Sequence, residues 1–369
     1  GICVAQKRQV LVRYRSSLGS KSEVNCGKRN THAIEQWADN HMKYFKSQKK
    51  RSTSEKRRRN SSLGWIRDLC SLPDSEILWR IRYRLAFSVS VAALASALNA
   101  FHELPEVSKA PHELVGTALS LLLVFQTDQA HSRYREAHKI FSELVYTSRR
   151  LVRTVCGYPG ANKQDKLVFV AYVTSFAFSL RDHLQMRRFR SQPLKSILPT
   201  DGYHQLTEEE YNRPMRLLLW LTTASQQLYS NQTSDAQCRE IRVVIESCLA
   251  DMERVLACAE RVNTPQSPRS YSRTLSRLLS LWSLTLPFVL VHDLCFFTVP
   301  CLLCLSWAFF SVEELGKLIE NPFQLQCRAS WWKKLKSPNR LSDSYKSQLD
   351  LDQFCEQILL DSEFISRYF

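Results

Sequence analysis

Strand-like alternation of apolar and polar residues is hard to find in these 369 residues, which argues against a fold built on sheets. Catalytic signatures are missing too: there is no GxSxG, no GxGxxG and no HExxH, and the nine histidines are dispersed. A nucleophile elbow, a dinucleotide loop and a zinc-protease helix each need their residues at those spacings, so an enzyme is the weaker class. No helix-turn-helix, zinc or RNA-binding signature is present, so nucleic acid is not an expected partner. The twelve cysteines follow no ligand pattern. Cys301 and Cys304 form a CxxC, but it lies inside an apolar run without a second ligand pair, which suits packing residues. Cys238, Cys248 and Cys258 recur every ten residues. On a helix that spacing is about 15 Å, beyond disulfide reach. No disulfide, metal or cofactor is expected.

Long hydrophobic runs are present. Hydrophobic residues make 44 % of the chain and the mean hydropathy is −0.28, averages that suit a soluble protein and conceal the local pattern. Residues 294–312 and 85–101 are 19 and 17 consecutive residues without a formal charge. Spans of about 17–25 apolar residues match the hydrocarbon core of a bilayer. Shorter apolar runs at 114–125, 167–180 and 278–291 read, beside those two, as inner helices of a membrane bundle. Pro287 and Pro300 are expected to interrupt the last two apolar segments, because proline frees a helical carbonyl.

Charge is concentrated at one end. Residues 1–62 hold 16 Lys and Arg against Glu23, Glu35, Asp39 and Glu55, which is +12 of the chain's net +16. A leader rich in Ser and Arg and poor in acids looks like an organelle transit peptide; a basic arm for anionic partners is the alternative. Between the apolar runs, residues 128–156 and 235–262 place apolar and charged positions at helical spacing. The sequence "TEEE" at Thr207–Glu210 predicts a capping box that opens a helix, as does "SLPD" at 71–74. Breaks are expected at 157–164, 190–205 and 263–271, each with proline or glycine.

In the 114–125 run, Thr117, Leu121 and Phe125 are i, i+4, i+8 and lie within an arc of about 80° on a helix. Repeated around a symmetry axis, the stripe would form stacked apolar rings with no hydrogen bonds to offer a hydrated ion. Core packing explains the same spacing. Phe edges carry partial positive charge, so such a ring favours an anion over a cation.

Four stretches, "LLLVFQTDQAHSRYREAHKIF" (121–141), "CAERVNTPQSPRSYSRTLSRLLSLWSLTLPF" (258–288), "VEELGKLIENPF" (312–323) and "LDLDQFCEQIL" (349–359), resemble the bestrophin family. The likeness is to its plant and algal branch, which includes thylakoid voltage-dependent chloride channels. It implies an all-α integral membrane bundle with about four membrane helices and long extramembrane helices, assembled as a homopentamer around one anion pore. The family's apolar neck falls on Thr117, Leu121 and Phe125. Arg133, Arg135 and Lys139 would line a positive vestibule or be solvated surface. The motif Glu313, Glu314, Gly316, Glu320, Pro322 and Phe323 would be structural, with Glu313 and Glu314 in interhelical ion pairs.

Departures from the family pattern bear on function. Where the family has Phe-Arg-Thr/Asn-Asn, this chain has Gln126, Thr127, Asp128 and Gln129 after Phe125, and the missing arginine changes the expected charge at the neck mouth. Residues 324–341 contain no acid, whereas animal members carry a calcium-binding acidic cluster there, so direct calcium gating is not expected. No helix carries regularly spaced arginines inside the membrane, so voltage gating leaves no mark in the sequence. The expected organisation is a leader at 1–62, a channel domain at 63–325, and an insertion loop with a C-terminal helix at 326–369. The expected function is passive conduction of chloride and other monovalent anions across the thylakoid or another plastid membrane, with membrane lipid and identical subunits as partners. Bicarbonate as the physiological ion, or a diverged non-conducting structural paralogue, are the alternatives.

Overall fold

The computed structural model describes residues 76–101, 107–185, 194, 197–198, 200–208, 212–229, 236–264, 269–324, 326–327, 345–346 and 349–366. The expected leader at 1–62, the "SLPD" box and most of the 324–341 segment lie outside the described residues. Helices are α1 (Glu76–Phe101), α2 (Ala110–Gly157), α3 (Lys163–Leu184), α4 (Thr200–Glu208), α5 (Arg213–Tyr229), α6 (Ala236–Asn263), α7 (Arg269–Leu294), α8 (Thr298–Glu320) and α9 (Leu351–Ser366). A 3-10 turn, Cys295–Phe297, joins α7 to α8. The described strands are two-residue pieces, β1 (Gln326–Cys327) and β2 (Tyr345–Lys346), paired antiparallel with Gln326 opposite Lys346.

The apolar run at 114–125 and the periodic segment at 128–156 form one helix, the 48-residue α2. At 1.5 Å per residue it is about 72 Å long. Neither proline interrupts its helix in the way expected: Pro287 lies inside α7, which continues through it, and Pro300 breaks nothing either. It sits in the first turn of α8, where a helix has no acceptor for its amide proton anyway. The break falls earlier, at Cys295, whose φ of 47° lies in the left-handed region that a side chain resists. "TEEE" does not open a helix either. Thr207 lies within the last described turn of α4, where its hydroxyl donates to the Tyr203 carbonyl at 2.6 Å, and Glu209 and Glu210 lie outside the described residues. Leu206, completely buried, anchors that turn from within, and a Thr inside a helix finds the carbonyl four residues back.

The chain divides into two compact units. One comprises His138–Arg261 and Asp350–Phe369. In it α3 packs against α5 and α9. Phe169, Val170, Val173, Phe176, Ala177 and Leu180 of α3 are all 0 % exposed. The 167–180 run is therefore the core helix of this unit. At its C-terminal end Arg181 is buried, donating to Asp182 at 2.7 and 2.9 Å and to Asp352 of α9 at 2.8 Å.

The other unit comprises Ser62–Ala137 and Val262–Leu349 and contains α1, the first part of α2, α7 and α8. Ile81, Leu119, Leu123, Leu275, Leu279 and Phe310 form one apolar cluster, and Ala92, Leu286 and Leu302 another. Between them Ser283 of α7 lies 2.8 Å from Ser306 of α8 and donates to Ser88 of α1 at 3.3 Å. Small residues let membrane helices approach, and their hydroxyls bridge the helices where no water is available. Two stretches, Ile77–Phe101 and Ser270–Glu320, are long and apolar enough to cross a membrane. Only 17 % and 22 % of their most apolar windows is buried, so they are not the covered core helices of a soluble protein.

Candidate functional site

The face of α2 that carries Leu119, Leu123, Gln126, Ala130, Arg133 and Ala137 is buried, with steps of three and four residues that keep one side of the helix inward. Gly116 extends that contact. A Cβ built on it would come within 3.1 Å of the Trp282 ring, so glycine is what lets α7 approach. The Trp282 indole donates to the His112 carbonyl at 3.1 Å, and the His112 ring stacks on it with centroids 5.7 Å apart.

Thr117, Leu121 and Phe125 occupy the other side of the helix. All three are exposed, Leu121 to 55 % and Phe125 to 57 %, and none packs into the unit's core. The Thr117 hydroxyl donates to the Glu113 carbonyl at 2.9 Å within the helix. With its donor engaged there, the stripe presents an apolar surface.

Of the basic candidates, Arg135 and Lys139 are exposed on α2. Arg133 is not a vestibule residue. It is 8 % exposed, donates to the carbonyls of Val262 and Thr264 at 2.8 and 3.1 Å, and stands 3.8 Å from the Glu320 carboxylate. It holds the end of α6 to α2 and α8. Gln126 likewise sits on the packed face, and its buried Oε1 has no hydrogen-bond partner among the described residues. A Cβ on Gly316 of α8 would lie 3.5 Å from Thr127 and 3.9 Å from Gln126, so position 126 faces α8 and not an open mouth.

Glu313 and Glu314 both pair with α1. Glu313, 1 % exposed, accepts from Arg84 at 2.8 Å, from Lys317 at 2.6 Å and from the Ser276 hydroxyl. Arg84 also donates to Ser280 at 2.8 Å, and its guanidinium lies 4.4 Å from the Phe310 ring centroid. Glu314 stands 3.4 Å from Arg80. Pro322 and Phe323 are buried, and the Pro322 carbonyl accepts from the Leu349 amide at 3.2 Å. The charge partners in α1, the Gly116–Trp282 contact and the serine bridge were not singled out in the sequence. The i, i+4 spacing of Arg80 and Arg84 before an apolar run was the available signal.

The described residues hold no group of three or more His, Cys, Asp or Glu placed to bind a metal. Burial pushes the thiols of Cys156 and Cys355 up to about 12, against the opposing pull of Lys166 and Arg181 respectively. Both stay protonated near neutrality and make poor nucleophiles.

A helical bundle with uncovered membrane-length helices and charges tied between them defines a membrane protein of the helical class. The chain belongs to the bestrophin family: the family model described as Bacterial/Fungal Bestrophin protein matches residues 56–328. Among curated relatives, Voltage-dependent chloride channel 2, chloroplastic, of Arabidopsis thaliana is 26 % identical over 346 residues, covering 90 % of this chain and 77 % of the relative. Voltage-dependent chloride channel 1, chloroplastic, of the same plant is 29 % identical, covering 79 % and 73 %. The crystal structure of a bacterial bestrophin homologue from Klebsiella pneumoniae superposes with a TM-score of 0.65 at 24 % identity, over 78 % of this chain and 98 % of that one.

Proposed function

We propose that this chain is the subunit of an anion channel, not an enzyme, and that Thr117, Leu121 and Phe125 form the neck of its pore when identical subunits assemble as a homopentamer. The observation that carries the proposal is the uncovered stripe itself: α2 buries one face completely and leaves these residues exposed, with the Thr117 hydroxyl engaged inside the helix. Apolar rings at a constriction expel water, so a passing anion loses part of its hydration shell and gains the positive ring edges in partial compensation. Arg135 and Lys139 would draw anions toward the neck. Chloride is the proposed physiological ion, a reading supported by the printed names of the Arabidopsis relatives. The word chloroplastic in the same names supports a plastid membrane; the reading extends to the thylakoid as that membrane and, on the net +12 and scarcity of acids, to residues 1–62 as the leader that directs the chain there. A chain starting at Leu63 should still assemble.

The test is single-channel recording on purified wild type and Phe125→Ala, in chloride, nitrate and bicarbonate, with oligomer content measured on the same samples. Phe125→Ala should raise conductance and flatten the preference among anions. An assembled variant with unchanged conductance and selectivity would overturn the neck assignment. Assembled wild type without anion current at any voltage would overturn the channel.

A further inference from the structure

The outward face of α1 carries a second, unrelated feature. Trp79, Tyr83, Phe87, Leu94, Leu98 and Phe101 are all exposed, an apolar stripe along the length of the helix. Near its beginning stands Arg82, with its guanidinium carbon 4.0 Å from the Trp79 ring centroid and 4.5 Å from that of Tyr83. It donates to the Tyr83 hydroxyl at 2.7 Å, while its buried Nε has no partner among the described residues. The neighbouring arginines differ. Arg80 faces Glu314 and Arg84 faces Glu313, but no described carboxylate pairs with Arg82.

We propose that Arg82, Trp79 and Tyr83 form a binding site for the phosphate headgroup of an anionic membrane lipid, whose acyl chains lie along Phe87 and Leu94. Depth supports this occupant. The uncharged run of α1 begins at Leu85, so Arg82 stands about 4.5 Å before the hydrocarbon edge, at the level where headgroups lie. Tryptophan and tyrosine favour that level, and a guanidinium held between rings keeps its planar N–H fork directed for a phosphate. Charge is complementary, and the stripe below the guanidinium supplies the matching apolar surface. The site requires only that α1 crosses a membrane, not that the pore conducts.

The experiment is native mass spectrometry of the purified full chain, titrated with phosphatidylglycerol or phosphatidylcholine of matched acyl chains. Wild type should hold phosphatidylglycerol about fivefold more tightly, the effect of one arginine near a membrane surface. Arg82→Gln should abolish that excess without altering oligomer content, and Arg82→Lys should restore part of it. If Arg82→Gln does not assemble, Arg82→Lys and Trp79→Leu decide: both should lower the excess, and an unchanged excess in both overturns the site. Equal displacement of the lipid by millimolar glycerol phosphate would assign the site to a free anion and overturn the lipid as occupant. A changed oligomeric state with unchanged lipid preference would make this face a contact between subunits, which also overturns the proposal.

Discussion

Helices α1 and α3 are similar in apolar content and opposite in covering. In α3, Phe176 and five other apolar side chains are fully buried by neighbouring helices of the same unit. In α1, Phe87 is 61 % exposed, and so is most of the outward stripe. A soluble protein rarely leaves so large an apolar surface in contact with water, so the two helices are built for different solvents. Their polar groups follow the same division. The α3 unit gathers charge at a helix end, with Arg181 between Asp182 and Asp352. The α1 unit relies on hydroxyls of small residues in its interior and keeps its ion pairs to the ends of the bundle, where Arg84 meets Glu313 at one and Lys109 meets Asp293 at the other. Hydrophobicity alone therefore does not mark a membrane helix; hydrophobicity left uncovered does.

Equal truncations in the two helices should break that equivalence most visibly. Phe176→Ala should cost about 3–5 kcal/mol, the usual cost of emptying a packed aromatic site. Phe87→Ala should change stability by no more than about 0.5 kcal/mol, because most of that side chain is left uncovered by the subunit. Thermal unfolding of both variants in the same detergent measures the contrast. A large loss at Phe87 would mean that protein covers the α1 face, and the comparison would fall.

The next effect in size concerns the charged end of the α1 unit. Glu313→Gln keeps the shape of the side chain and removes its charge, leaving Arg84 and Lys317 without their shared carboxylate. Each of those cations keeps about a third of its side chain exposed, so solvent relieves part of the penalty. A loss of about 1–3 kcal/mol is expected, as for a hydrogen-bonded group left unmatched. Oligomer yield and unfolding temperature should fall together. An unchanged unfolding temperature would show that the bundle does not depend on this end.

Periodicity in the sequence located α6 nearly to its ends and the later part of α2, but not that the 114–125 run belongs to the same helix, because an amphipathic helix repeats its apolar residues at a spacing visible without a partner and a uniformly apolar run does not. It could not tell α3 from a membrane helix, because hydropathy records how apolar a segment is and not what covers it. Arg133 was grouped with Arg135 by proximity along the chain. A helical projection turns it about 120° from Leu121 at the middle of the stripe and toward the Leu119–Leu123–Ala130 face, which is where the structure buries it. The ion pairs of Glu313 and Glu314 were expected from two acids leaving an apolar segment. Their partners were not identifiable, because Arg84 is 229 residues away and sequence spacing does not say which helices meet. "TEEE" failed at Thr207 for a related reason: a threonine hydroxyl serves as a cap or returns to a carbonyl one turn back within a helix, and only the structure shows that it bonds Tyr203.

The smallest expected effect tests what holds the uncovered helices together. Ser283 touches both Ser88 and Ser306, so it could act through its hydroxyl or through its small size. Ser283→Ala removes the bridge and keeps the close approach. Ser88 and Ser306 can then turn their hydroxyls to carbonyls of their own helices, as Ser90 already does to Ala86 at 2.8 Å. The expected cost is about 0.6 kcal/mol, the average for such a bond between membrane helices. Ser283→Leu forces the helices apart, and overpacking of this kind costs about 1–3 kcal/mol. Unfolding temperatures of the two variants in one detergent rank the two contributions. If alanine proves as damaging as leucine, hydrogen bonding and not steric fit holds α7 to its neighbours, and the α1 unit would depend on its buried polar groups as the α3 unit does on Arg181.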